Sequence, residues 1–300
     1  FPATTGTANA VLFSLNGDQD IVLEEPFPVR VGGDVAAQSL WEFRRQDRRW
    51  WQKDEWRALF FAALSEASLT TTDMVLTLGW PTSWYLDDKD AIRAALTGEH
   101  KLKRAGRRRQ AAHLLDVRIM PQGLGLGCDM IFDAGGHINT PDLLKQKHLY
   151  VNVGSNNTNF IASQGLRVGQ RSASRDFGSW TAVAELRQLL DVKAPGRKLS
   201  DHEIDEVLRT GEVFYDGQRL DLSAEVADIW HHLEKAVIAA MTQLYDEARQ
   251  FQHIIFGGGC IHHIGAGLKA AFPWATLHPA PEFGEVSGYQ KFSQRIANLM

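Results

Sequence analysis

Two turns rich in glycine and amide side chains carry the residue types best suited to holding phosphate. The first follows the apolar run Leu149 to Val153 and reads Gly154, Ser155, Asn156, Asn157, Thr158, after which apolar residues resume at Phe160 and Ile161. A strand, a turn of small polar residues and a second strand make a β-hairpin. Gly154 lets backbone approach a ligand, while the turn amides and the side chains of Ser155, Asn157 and Thr158 offer uncharged donors to anionic oxygens. Taken alone, an ordinary hairpin with polar turn residues is the plainer reading. The second turn lies in HIIFGGGCIHHIGAG, His253 to Gly267. Here a short buried strand, Ile254 to Phe256, runs into Gly257, Gly258 and Gly259, and Ile261 to Phe272 reads as a helix. Three consecutive glycines strip the strand-to-helix turn of side chains, so a purine base or its ribose can lie on bare backbone.

The elements that must position these turns belong to a chain of 300 residues, 44% hydrophobic and 23% charged, with net charge −4. That is enough for two domains of about 150 residues each. No apolar run approaches the ~20 residues of a membrane span, and no charged-then-apolar leader opens the sequence, so a cytoplasmic protein without membrane contact is expected. The net charge gives no global attraction to nucleic acid, and direct nucleic-acid binding is not expected. Cys128 and Cys260 lie far apart in apolar or glycine-rich settings and read as buried thiols rather than a disulfide or metal set. The pairs His231-His232 and His262-His263 lack a completing carboxylate or cysteine, and neighbouring helical residues point about 100° apart, so no metal site is assigned to them.

In chain order, Ala10 to Leu15, Ile21 to Leu23 and Phe27 to Val31 read as strands around the turn Asn16-Gly17-Asp18. Ala36 to Ser68 is helical and interleaves Trp41, Trp50, Trp51 and Trp56 with Arg44, Arg45, Arg48, Arg49 and Arg57. Such interleaving suits nucleic acid, but Glu42, Asp47, Asp54 and Glu55 dilute the charge, and a solvated face with tryptophans on the core is preferred. Met74 onward is a continuous apolar strand closed by Gly79-Trp80-Pro81, and Asp88 to Leu96 a short helix. Lys101 to Arg109 holds six basic residues and reads as an exposed loop, with a polymer contact or nucleic-acid patch as the alternative. Leu114 to Met120 is a strand leading to Pro121-Gln122-Gly123. Ser200 with Glu203 forms a capping box for a helix closed by Gly211. Leu222 to Phe251 is a long amphipathic helix.

Hairpin first and Gly-Gly-Gly turn second, the sequence resembles the phosphate and adenosine motifs of the actin, Hsp70 and sugar kinase superfamily. The Gly79-Trp80-Pro81 strand end and the closing stretch HPAPEFGEVSGYQKF, His278 to Phe292, resemble bacterial and plasmid actin-like proteins of the ParM (StbA) type. The resemblance implies an α/β, actin-like (ribonuclease H-like) fold with mixed five-stranded sheets and a nucleotide cleft between two lobes. These are residues 1–148 and 149–300, with a small insert at 179–222. It makes Met74 onward a central parallel strand and implies filament formation by self-association, a DNA-binding adaptor, and ATP or GTP (ADP or GDP) as ligand. Gly6 and Thr7 become the remnant of a first phosphate loop, and Asn152, Gly154, Ser155, Asn156, Asn157 and Thr158 the second. Gly178 belongs to the stretch entering the second lobe, Gly257, Gly258, Gly259 and His262 line the base pocket, and Gln122 positions the attacking water. Gly258→Trp is expected to fill the base site and leave the fold intact.

The departures bear on chemistry. Family members carry aspartate where this chain has Asn152, and usually another at Asn159; those carboxylates hold Mg2+ and its waters. Amides keep the shape but lose the charge that a hard dication prefers, so Mg2+ binding is expected to be weakened and hydrolysis slow. No aspartate precedes Asp18: either the first loop is degenerate or the sequence starts downstream of the first strand. A slow ATPase or GTPase forming filaments is therefore expected. A small-molecule kinase on the same fold is the alternative, disfavoured because neither turn contains an Asp or Glu to act as general base.

Overall fold

The computed structural model describes residues 21–26, 29–31, 48–67 and 73–300. Expectations for Gly6, Thr7, the strand 10–15, the turn 16–18 and the Trp41, Arg44 and Arg45 cluster fall outside these residues. By contact the chain groups into two units. One comprises Phe1–Leu76, Ala91–Val117 and Leu199–His202, the other Thr77–Asp90, Arg118–Lys198 and Glu203–Met300. Residues 118–148 thus group with the C-terminal sheet, a different division from one at 148/149.

The first unit carries β1 (Ile21–Glu25), β2 (Val29–Val31), α1 (Asp54–Ala67), the first half of β3 (Asp73–Trp80), the second half of α2 (Tyr85–Leu96), β4 (Gly98–Arg104) and most of β5 (Gln110–Pro121). The sheet order is β2-β1-β4-β5-β3. Among the described residues β3 therefore ends the sheet, where a central strand was expected. The apolar positions of α1 fall at helical spacing, so Trp56, Phe60 and Leu64 are buried on one stripe. Trp56 stacks on Phe60 at 5.2 Å, and Phe60 and Phe61 present edges to His100. Trp56 is thus a core residue, as the solvated-face reading requires. The basic run 101–109 forms the end of β4 and the turn into β5 rather than a free loop. Lys101, Lys103, Arg104 and Arg109 stand beside Glu99, Glu24, Glu66 and Glu25, which neutralises much of the run locally.

In the second unit the order is β13 (Thr276–Leu277), β12 (His253–Gly257), β6 (Lys147–Val153), β7 (Thr158–Gln164) and β8 (Arg167–Val168), with β9 (Ala173–Arg175) also on β7. β6 and β7 form the expected hairpin, in register from Lys147↔Gln164 to Val153↔Thr158. β12 runs parallel to β6, with Gly257 opposite Asn152. A parallel neighbour requires a crossover, supplied by α4 (Ser179–Lys193), α5 (Asp201–Thr210), the hairpin of β10 (Glu212–Tyr215) and β11 (Gln218–Asp221), and α6 (Ser223–Tyr245). The sheet is mixed, and β6 is buried on both faces from His148 to Val153, which is why its apolar residues do not alternate with exposed ones. α6 stops at Tyr245, short of the expected Phe251, because Asp246 (φ 58°) and Ala248 (φ 56°) leave helical geometry.

Alternation along the strands sorts the two faces. Tyr150, Ile161 and Ile255 share one buried cluster with Leu124, Leu126, Cys128 and Ile131 of α3 (Leu124–Ile131) and Tyr289 of α8 (Gly284–Ala297). Leu149, Val151, Phe160 and Phe256 are buried on the opposite face, where Phe256 meets Phe272 just after α7 (Ile261–Ala271). α3 and α8 cross at close range because Gly288 lies against the Gly125 carbonyl and the Asp129 amide, leaving no room for a Cβ. A half-buried quartet locks the crossing: Asp129 accepts from Ser287, from Lys291 at 2.9 Å and from His278 Nε2 at 3.0 Å. Burial works against the Asp129 charge, but these hydrogen bonds and cations hold its carboxyl below the usual range. Gly288→Ala is expected to lower stability by about 2 kcal/mol through overpacking. The measurement is the denaturant midpoint, and an unchanged midpoint would contradict this crossing.

Candidate functional site

β6 and β12 end side by side because they are parallel and in register at Asn152 and Gly257. The chain leaves β6 into the turn Gly154–Asn157 and leaves β12 into Gly258-Gly259. Both turns therefore sit at one edge of one sheet, beyond the carboxyl ends of parallel strands, where α/β sheets place ligands. The first turn is closed by the Gly154 amide donating to the Asn157 carbonyl at 3.0 Å. Its carbonyls are engaged from behind: Ser179 and Trp180, at the start of α4, donate to Gly154 and Ser155. Gly178 fits beneath because a Cβ would overlap both carbonyls. Among the described residues, the amides of Ser155, Asn156 and Asn157 donate to no carbonyl, which leaves them available to an anion. The Thr158 hydroxyl is buried and donates to Phe177 O at 2.9 Å, so it faces the protein rather than a ligand.

The three glycines of the second turn differ in role. A Cβ at Gly257 would strike Leu126, and Gly258 has φ +96° with Val153 O and Asn152 Oδ1 in the way. Gly259 is exposed, and the nearest atom to a Cβ there is Glu282 Cγ at 4.0 Å. The bare patch is therefore at Gly259, whereas Gly257 and Gly258 are glycines for packing and backbone geometry. The expectation that Gly258→Trp leaves the fold intact is corrected accordingly. His262 is exposed at the start of α7, while His263 stacks flat on Trp230 at 4.1 Å. The Cys260 thiol, with Gly154 O as acceptor at 3.5 Å, is pushed up to about 11 by burial.

Asn152 and Asn159 lie directly opposite each other across β6 and β7. Asn159 is fully enclosed; its Nδ2 donates to Gln122 Oε1 at 3.3 Å and to Asn157 Oδ1 at 3.2 Å, and its Oδ1 accepts from Thr82 N at 3.3 Å. Gln122 in turn donates its backbone amide to Trp80 O at 2.8 Å. The structure thus brings Gln122, Asn152, Asn157 and Asn159 into one cluster with the first turn.

The residue that sequence reasoning missed is Glu285, in the first turn of α8. Its carboxyl accepts from Gly123 N at 2.6 Å, from the Tyr289 hydroxyl and from Asn152 Nδ2. Part of the residue surface is open, but the carboxyl itself is enclosed. Burial pushes its pKa up, opposed by the bonds from Tyr289 and Gly123. A carboxylate therefore does stand beside the first turn, supplied from far along the chain. The available signal was an acidic residue between glycines 284 and 288 with a tyrosine four residues on, a pattern suited to a closely packed helix start. Thr82, which holds Asn159, was also missed.

The resemblance to ATP-binding families implies Mg2+, and the donor set does not fit it. The side-chain oxygens of Asn157, Asn159, Gln122 and Glu285 already accept N–H or O–H donors. Asn152 Oδ1 is turned toward Gly258. Among the described residues no cluster of His, Cys, Asp and Glu is arranged to hold a metal ion. A hard dication prefers charged oxygen ligands that are free to bind it; here the one carboxyl, Glu285, is engaged by three donors and the other oxygens belong to neutral amides.

The family model described as "Actin like proteins N terminal domain" matches residues 1–125. No curated protein sequence matches the chain. Among solved structures, a non-polymerisable quadruple mutant of pCBH ParM is similar with a TM-score of 0.77 and 19% identity, over 95% of this chain and 91% of that one. A fifteen-stranded ParM filament from Clostridium botulinum gives 0.75 and 20%, over 94% and 87%. Ta0583, an archaeal actin homologue, gives 0.76 and 17%, over 95% and 91%. Its complex with ADP gives 0.70 and 16%, over 93% and 88%. At these identities the structural likeness is one of fold. Residues 1–125 are thus similar to the N-terminal domain of the actin-like proteins, and the chain has the actin-like fold.

Proposed function

We propose that the protein is a nucleotide-binding, filament-forming actin-like protein with slow hydrolysis, working in the cytoplasm in the segregation of DNA through an adaptor. The observation that carries the nucleotide part is the pair of adjacent turns, one with unengaged amides at Ser155 to Asn157 and one with bare backbone at Gly259. The phosphates of ATP or GTP lie on the first turn and the base or ribose on the second. Support comes from Ta0583, a homologue of this fold seen with ADP. Self-association is supported by the ParM filament of the same fold. A head-to-tail contact that does not close generates an open filament. The lobes are proposed as 1–148 and 149–300, with residues 179–222 as the insert, and Gly6 and Thr7 as part of the first phosphate loop.

Hydrolysis is assigned to positioning alone. Gln122 can orient water but cannot take its proton, and Glu285 is enclosed by donors and cannot serve as a general base. This keeps the kinase alternative disfavoured even though a carboxylate is now at hand. Mg2+ would supply charge neutralisation of the phosphates when bound; with the side chains described, its oxygen ligands must come mainly from nucleotide and water.

Calorimetric titration is expected to show binding of ATP or GTP that persists in EDTA, and absence of heat with both nucleotides would sink the proposal. Gly259→Trp is expected to abolish that binding with an unchanged melting temperature, whereas Gly258→Ala unfolds at lower temperature because φ +96° strains any L side chain. Sedimentation should show nucleotide-dependent polymer, and a strict monomer with and without nucleotide would remove the filament reading. Gln122→Ala should slow phosphate release about tenfold or more with affinity unchanged.

A further inference from the structure

We propose that Glu285 is the positioning residue for the phosphate-facing turns, and that it is the reason position 152 carries an amide. The link to phosphate rests on the nucleotide-binding reading; the coupling between Glu285 and Asn152 stands on the geometry alone.

One carboxyl touches the starting points of several site elements. Through Oε1 it holds Gly123 N, the amide next to Gln122 at the start of α3, at 2.6 Å. Through Oε2 it takes the Asn152 carboxamide at the end of β6. Asn152 then presents its Oδ1 to the Gly258 turn, where a Cβ would meet it at 2.7 Å. Tyr289, one helical turn further along α8, donates its hydroxyl to Oε1 and fixes the rotamer. The close crossing of α8 on α3 makes this reach feasible, because Gly125 lies directly against the Glu285 backbone. The Gln122 turn, the β6 end and the Gly258 turn are all referenced to the same side chain.

Every partner of the carboxyl is a donor, so the hydrogen bonds favour its acceptor-only form against the burial that pushes its pKa up. The positive end of α3 adds to that preference. Aspartate at 152 would place a second acceptor-only group in contact with the first, with no donor between them and Asn159 opposite. One of the two would have to retain a proton or the strand end would have to move. With Glu at 285, an amide at 152 is the complementary choice. Exchanging the roles, Asp at 152 with Gln at 285, restores one carboxylate, one amide and the same charge.

The test is a cycle of E285Q, N152D and the double variant in the full chain, read by urea denaturation and by calorimetric titration with ATP in EDTA. N152D alone is expected to lower the urea midpoint and to weaken nucleotide binding about tenfold or more. The double variant should recover both to within about twofold of the wild-type affinity. E285Q alone should slow phosphate release more than it weakens binding, since it loosens the Gln122 turn. An N152D protein indistinguishable from wild type, or a double variant showing the sum of the single losses, would overturn the coupling. If wild-type protein takes up no nucleotide, the nucleotide reading and the positioning role fall together, while the urea arm still decides the coupling.

Discussion

The parallel pairing of β12 with β6 is the constraint on which the candidate site depends. Gly257 opposite Asn152 puts two strand ends at one sheet edge, and the turns that follow have no other place to go. From that pairing come the glycines: Gly257 passes Leu126, and Gly258 takes a left-handed backbone beside the β6 end. The crossover that makes a parallel neighbour feasible occupies α4 to α6, and the first amides of α4 engage the back of the first turn. The other face is closed by α3 and α8, whose close crossing brings Glu285 to the turn.

Charge in this region is sparse and placed. Amides stand at 122, 152, 157 and 159, and the carboxyl that touches Asn152 comes from α8. Oriented amides hold an anion through dipoles, without the reorganisation that water would need. They do not hold a hard dication well, and they provide no base. An arrangement of this kind favours binding and slow turnover over rapid phosphoryl transfer.

What the sequence makes legible follows from the range of the interactions. The hairpin 147–164, the strand before Gly257, the helix from Ile261 and the stripe of α1 are local patterns of period two or three to four, and each is found where those patterns place it. Sheet order is not local, so β3 was expected in the centre, whereas among the described residues it ends the sheet. The run 101–109 shows six cations in sequence, but the glutamates that face Lys103, Arg104 and Arg109 sit at 24, 66 and 25. Glu285 is the sharpest case. It meets Gly123 and Asn152 across most of the second half of the chain, and only packing of glycines between two helices brings it there. A Gly-Gly-Gly string likewise does not say which glycine is bare and which is backbone geometry.

The central claim is that the adjacent turns form one anion and nucleotide site. Hydrogen exchange followed by mass spectrometry, with and without ATP in EDTA, tests it most directly. The account predicts slowed exchange confined to peptides that carry Ser155 to Asn157 and Gly258 to Ile261, because those amides gain acceptors or cover. Protection elsewhere with both turns unchanged would contradict it.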